Sequence, residues 1–316
     1  MTNSNQRSHR WGVILAGGDG KRLLPLTRTI SGDDRPKQFC AVVNDETLLQ
    51  QTQRRISPLI HPQRTLLVLT KTHAPFYAGT VDEIPSSRLL IQPCNQGTAP
   101  AILYSLVRLR EMDPDAVVAF FPSDHYYSDD QAFICHVDSA YQAAASRPGV
   151  VIVLGIPAET PEIEYGWIEP GPRQDSSTTN SVLPVRQFWE KPNRALASKL
   201  MERGCLWNSF VMVGLVGSFL YLIRNTLPDL VALFEHIRSA LRMGTQEIAL
   251  NEVYTRIRAT CFSRKVMAAR PRDLAVLRAT GVGWSDLGEP GRVLSVRNRK
   301  GVRSASGHTT MSVGAA

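Results

Sequence analysis

A chain of 316 residues, 43% of them hydrophobic, is long enough for one large α/β domain with its own core. Five cysteines (Cys40, Cys94, Cys135, Cys205 and Cys261), an odd number without a C-x-x-C pair, argue against a zinc site or a disulfide scaffold and for a reducing, cytoplasmic setting. A formal net charge of +8 suits an anionic ligand, but no basic stripe interleaves with aromatics, which disfavours nucleic acid, and no apolar run approaches a membrane span.

The polar start "MTNSNQRSHR" runs into a short buried strand, "GVILA" from Gly12, too short for a signal-peptide core. "TLLQQTQRRI" sets Leu48, Leu49, Thr52 and Ile56 on one helical face. "TLLVLT" from Thr65 is a β-rich run, followed by a polar helical segment around Tyr77. "RLLIQP" is a strand ended by Pro93, and "TAPAILYSLVRLREM" is a helix with Ile102, Leu106 and Leu109 on one stripe. "AVVAFFP" from Ala116 is too apolar to face water on either side, "QAFICHVDSAYQAAA" is helical, and "VVIVLGI" is another buried strand. Apolar strands alternating with amphipathic helices predict an α/β fold: a Rossmann-like, mostly parallel sheet with helices on both faces. Such sheets bind ligands beyond the carboxyl ends of their strands. That rule predicts one shared rim for the Gly17–Arg22 loop, the Gln92–Gly97 turn and "PSDH".

After Gly155 the pattern loosens into a smaller α+β portion. A polar hairpin-like insert, "EPGPRQDSSTTNSVLP", lies between "YGWIE" and "VRQFWEKP". Helices follow at "RALASKLMERG", "VGSFLYLIRN" and "LPDLVALFEHIRSAL", with Pro228 near a helix start. The expected organisation is one domain over 1–296, with a first half of about 11–155 and a second of about 156–296. Residues 297–316 read as a disordered basic tail.

The loop "GVILAGGDGKRLLPL" fails two familiar fingerprints. A P-loop would need glycine at Leu15, and a dinucleotide fingerprint would need a third glycine at Leu23. The second failure sets a nicotinamide oxidoreductase aside. The loop reads either as backbone donors and a forked cation, Arg22, around a phosphate, or as a Gly-rich turn with solvated charges. Asp124, at the tip of a buried strand, suits a divalent cation or caps a turn, and Asp286 in "GWSDLGEPG" has the same two readings. Glu190 and Lys191 in "FWEKPN" read as partners of a polyhydroxylated ligand or as a solvent ion pair. Asn208 in "CLWNSFVMVG" is a core anchor or a ligand contact, and Gly166 permits close backbone approach or marks a bulge.

The order of these motifs is informative. "LAGGDGKRLLPLTR", "RPKQF", "QPCNQGTAPAI", "FPSDH", "YGWIE", "FWEKP", "LWNSF" and "WSDLG" resemble, in sequence and spacing, the sugar-1-phosphate nucleotidyltransferases. The likeness is greatest to bacterial mannose-1-phosphate guanylyltransferases and spans roughly Trp11 to Leu294. It implies a nucleotide-diphospho-sugar transferase fold and attack of a sugar-1-phosphate on the α-phosphorus of a nucleoside triphosphate, with GTP and mannose-1-phosphate as the expected pair. By the same resemblance Gly17, Gly18 and Gly20 donate to the triphosphate, Arg22 holds the leaving pyrophosphate, and Lys37 offsets charge between the reacting phosphates. Asp124 and Asp286 clamp Mg²⁺, Thr98 lies where the base is read, and Gly166, Glu190, Lys191 and Asn208 hold the sugar. A homodimer is among the arrangements expected of such a chain, with no membrane partner.

The chain also departs from the family. Lys21 replaces the usual Thr, Leu24 the usual Trp, and a longer "TISGDDR" connection is expected to bring Asp33 and Asp34 near the phosphates. Phe210 stands where glycine usually follows the "WNS" triplet, close to the sugar. The rival reading is a nucleotide-sugar sensor without turnover. Retention of Arg22, Lys37, Asp124 and Asp286 favours an enzyme.

Overall fold

The computed structural model describes residues 9–172 and 182–299. Part of the hairpin-like insert (173–181) and residues 300–316 of the expected tail lie outside them. Residues 297–299 close a helix, α10 (Pro290–Arg299), because its face carrying Val293 and Val296 is buried.

One nine-stranded sheet carries the architecture. Its first half is the expected parallel set: β1 (Arg10–Leu15) pairs with β2 (Thr65–Thr70) on one side and β4 (Val117–Pro122) on the other, and β3 (Leu89–Gln92) extends the sheet beyond β2. The interiors of β1, β2 and β4 are apolar because both faces are covered. Alternate residues divide between two cores: Val13, Val68 and Phe120 pack on one face, Ile14, Leu67 and Phe121 on the other. Helices α1 (Leu24–Ser31), α2 (Leu48–Ile56), α3 (Ala74–Val81) and α4 (Thr98–Met112) connect them. The start of α2 is set by a full capping box, in which Thr47 and Gln50 satisfy each other's backbone N–H.

The second half departs from parallel order. After the short β5 (Tyr126–Tyr127) and α5 (Asp130–Ser146) come β6 (Val151–Pro157), β7 (Gly166–Pro170), β8 (Val182–Glu190), α6 (Arg194–Glu202) and β9 (Leu206–Leu215). Strand β9 inserts between β4 and β6, antiparallel to both, and so welds the two halves into one sheet. Beyond β6 lie β10 (Leu274–Arg278), parallel to it, then the antiparallel pair β8 and β7. All the strands of this sheet except β8 and β9 point one way, so the mostly parallel expectation holds with two reversals. Helices α7 (Val216–Arg224), α8 (Pro228–Met243) and α9 (Gln246–Arg256) cover one face. Pro228 opens α8 and Gly244, at φ 72°, closes it. A separate ribbon pairs β5 with β11 (Trp284–Ser285), which brings the Asp286 turn back to the end of β4.

Candidate functional site

The predicted rim exists. A cleft of about 360 Å³ is lined by Asp19 to Leu23, Lys37, Asn95, Asp124 and Gly288. It joins the turns after β1, β3 and β4 with the turn after β11, as the geometry of an open α/β sheet dictates.

The glycines of the first loop serve different ends. A Cβ on Gly17 would come within 2.7 Å of Thr70 Oγ1 and 2.8 Å of Gln92 Nε2, so close packing excludes a side chain there. Gly20 adopts φ 60°, the left-handed region, against the Lys37 backbone. Gly18 faces open space, leaving its peptide approachable. The buried Gln38 pins the loop by donating from Nε2 to the carbonyls of Ala16 (3.0 Å) and Gly18 (2.7 Å). Gln38 was visible in "RPKQF" but had no distinguishing signal there.

At the centre one cation sits among oxygens. Lys37 Nζ lies 3.2 Å from Asp124 Oδ2, donates to the Asp286 carbonyl at 2.5 Å and reaches the Leu287 carbonyl at 3.3 Å. The Asp286 carboxylate has its own partners: Oδ1 accepts from Arg292 Nη1 (2.6 Å), the Gly288 N–H (2.9 Å) and the Tyr165 hydroxyl (3.0 Å). Burial would raise this carboxyl, but Arg292, with His125, Lys37 and the Gly288 N–H, outweighs burial and holds it below the usual range. His125 is largely shielded from water, which holds its imidazole below its ordinary value, and its Nδ1 accepts from the Trp284 indole at 3.2 Å. Arg292 carried no sequence signal and Tyr165 stood in "YGWIE" without an assigned role, since both reach Asp286 only through the fold.

The Asp124 carboxylate and two backbone carbonyls around one ammonium, with the Asp286 carboxylate in the same turn, form an all-oxygen donor set of the kind a hard divalent cation shares with substrate phosphates. The residues therefore fit Mg²⁺. Among the described residues no group of three or more His, Cys, Asp or Glu forms a self-sufficient metal site. Any cation here must draw further ligands from elsewhere.

The residues assigned to the sugar also meet. Gly166 pairs across strands with Glu190, and a Cβ on Gly166 would lie 3.0 Å from Glu190 Oε2 and 3.2 Å from Asn208 Cβ. Burial raises the Glu190 carboxyl, against the pull of Lys191. Glu164, unassigned in the sequence although it begins "EYGWIE", accepts from Arg22 at 2.9 Å and from Lys191 at 3.0 Å on the same oxygen. This ties the Arg22 loop to the Glu190–Lys191 turn. The three non-glycine residues with positive φ among the described residues are Lys191 (52°), Phe210 (59°) and Leu287 (48°), and each lies within two positions of a candidate site residue. Backbone strain of this kind gathers where function over-determines local geometry. The φ of Phe210 accounts for the glycine usual at this position. Its backbone N–H caps Asn208 Oδ1 at 3.0 Å, across the irregular register where β9 bulges against β6.

Two placements differ from a simple ligand contact. Thr98 Oγ1 accepts from the Phe262 N–H at 2.8 Å, so its hydroxyl anchors the chain after α9. Asp33 and Asp34 do not line the cleft: Asp33 pairs with Arg35 at 2.7 Å and Asp34 with Arg28 at 2.5 Å. Short local ion pairs within the connection absorb both charges.

Comparison with known proteins agrees with this geometry. The family described as nucleotidyl transferase matches residues 11–299. The chain is 31% identical over 286 residues to mannose-1-phosphate guanylyltransferase 2 of Escherichia coli O157:H7, covering 87% of this chain and 57% of that protein. It is 29% identical to the alginate biosynthesis protein AlgA of Pseudomonas aeruginosa, over 94% of this chain and 60% of that one. The chain thus spans somewhat over half the length of these curated relatives. A crystal structure described as mannose-1-phosphate geranyltransferase from Thermus thermophilus superposes with a TM-score of 0.76 at 30% identity, covering 91% of this chain and 79% of that one. A structure from Bacillus anthracis, described as a putative glucose-1-phosphate thymidylyltransferase, shares the fold at 15% identity and a TM-score of 0.53, over 92% and 94% of the two chains. With a match running from the first strand to the last described helix, the chain belongs to the nucleotidyl transferase family.

Proposed function

We propose that the chain transfers GMP from GTP to mannose-1-phosphate, giving GDP-mannose and pyrophosphate. The observation that carries this reading is the cleft in which Asp19–Arg22, Lys37 and Asp124 meet the turn after Asp286, with Gly166, Glu190 and Asn208 clustered together and Lys191 joined to Arg22 through Glu164. The sugar choice leans on the names of the relatives that the chain matches at about 30% identity.

In this reading a phosphate oxygen of the sugar phosphate attacks the α-phosphorus, a new P–O bond forms, and the bond to the β-phosphate oxygen breaks. The nucleophile is already an anion, so no general base is required. The protein contributes position and charge neutralisation. The loop peptides around Gly18 and Gly20 receive the triphosphate, Arg22 exchanges Glu164 for the departing pyrophosphate, and Lys37 moves from Asp124 onto the reacting phosphates. Glu190 and Asn208 accept from and donate to sugar hydroxyls. Asp124 and Asp286 would hold Mg²⁺, which supplies further neutralisation of phosphate charge.

Pyrophosphate release from the purified protein with magnesium, crossing the common nucleoside triphosphates with mannose-1-phosphate, glucose-1-phosphate and other sugar phosphates, tests it. Release with GTP and mannose-1-phosphate alone is expected. Release with another pair would keep the mechanism and change the substrates. No release with any pair, beside measurable nucleotide-sugar binding, would favour a sensor.

A further inference from the structure

We infer that Arg292 is a positioning residue that keeps Asp286 charge-neutralised in the ligand-free protein, so that a divalent cation enters only together with a triphosphate. The inference rests on the reading of Asp124 and Asp286 as the cation's carboxylates. Each of them already carries an internal cation: Lys37 at 3.2 Å from Asp124 and Arg292 at 2.6 Å from Asp286. Each carboxylate is offset by its own cation, which weakens the attraction of the ligand-free site for Mg²⁺. The added charge must come from substrate phosphates.

The two internal cations are not equivalent. Lys37 is a point charge on a flexible stem and can leave Asp124 for a phosphate. Arg292 cannot leave. Its Nη1 serves Asp286, its Nη2 serves Glu162 at 2.8 Å, and its guanidinium stacks 4.5 Å from the centre of the Tyr165 ring. It projects from the first turn of α10, whose Val293 and Val296 are buried. The fork also fixes which oxygen is free. With Oδ1 taken by Arg292, Tyr165 and the Gly288 N–H, Oδ2 lies beside Gly288, where a Cβ would come within 2.5 Å of it and 3.2 Å of Arg22 Nη2. Gly288 lines the cleft, so the free oxygen is on the substrate side. Arg292 thus orients the ligand while its charge weakens the empty site.

Titration of the nucleotide-free full chain with Mn²⁺, followed by electron paramagnetic resonance of the free ion, tests this. Wild type should bind Mn²⁺ weakly. Arg292→Met should bind it at least tenfold more tightly, and adding Asp286→Asn should return the affinity to the wild-type level. Arg292→Gln, which removes the charge but keeps a donor towards Asp286, should tighten binding several-fold and serves if Arg292→Met fails to fold. Tight binding by wild type, or unchanged Mn²⁺ affinity in the folded variants, overturns the inference. Pyrophosphate release by Asp286→Asn tests the underlying reading separately: full release by that variant sinks the cation role of Asp286 whatever Arg292 does.

Discussion

Lys37 and Asp124 face each other at 3.2 Å across the cleft, and the same ammonium is bonded to the Asp286 carbonyl. One side chain from the loop after α1 therefore ties the tip of β4 to the turn after β11.

Lys37→Ala should lower kcat by roughly 10²–10³-fold, with a much smaller change in nucleotide affinity, because its charge is needed most when the reacting phosphates crowd together. Steady-state kinetics beside equilibrium nucleotide binding separates the two. A pure loss of affinity with kcat intact would contradict the transition-state role.

Asp124→Asn removes a charge but keeps the shape of the side chain. Turnover should fall on the order of 10²-fold or more while the thermal transition stays close to wild type. Near-normal turnover in a folded variant would exclude Asp124 from the cation site.

Phe210 holds φ 59°, a conformation that costs a residue bearing a Cβ about 1 kcal/mol and costs glycine almost nothing. Both Phe210→Ala and Phe210→Gly lose the packing of a ring partly buried against the core. The glycine variant should nonetheless be the more stable by about 1 kcal/mol, the reverse of the usual Ala-over-Gly order. Denaturant midpoints of the two variants decide it, and the usual order would show that the strain is absent in solution.

Glu111 links α4 to α8 through Arg242 (2.6 Å) and Arg238 (2.7 Å). Hydrogen bonds from Arg242 and Arg238 pull its carboxyl from 4.5 down to about 2. A carboxylate depressed in the folded state stabilises above its unfolded value and loses that contribution as pH falls through the folded one. The stability gap between wild type and Glu111→Gln should therefore be full at neutral pH and narrow from about 4.5 towards about 2. A gap independent of pH in thermal melts would rule the ion pair out as its source.

Much of this was legible in the chain. Continuous apolar strands, such as the one around Phe120 and Phe121, reported a sheet covered on both faces, because alternate side chains must each find a core. Turn glycines and the acid at the tip of β4 located the rim, since open α/β sheets place their ligands there. The motif order, read against a known family, nominated candidate site residues. The reversal of β9 was not legible: strand direction is set by pairing with β4 and β6, which local sequence does not encode. Nor was the fate of the charges. Asp33 and Asp34 look like site residues in one dimension and are spent on Arg35 and Arg28 in three. Arg292, Tyr165 and Glu164 look like surface residues and converge on Asp286, Arg22 and Lys191. The sequence by itself determined the layers, the rim and the chemistry available at it, because burial periodicity and turn chemistry are local. Only the tertiary structure decided which opposite charges meet, because such pairing depends on distances of a few ångströms between segments far apart in the chain.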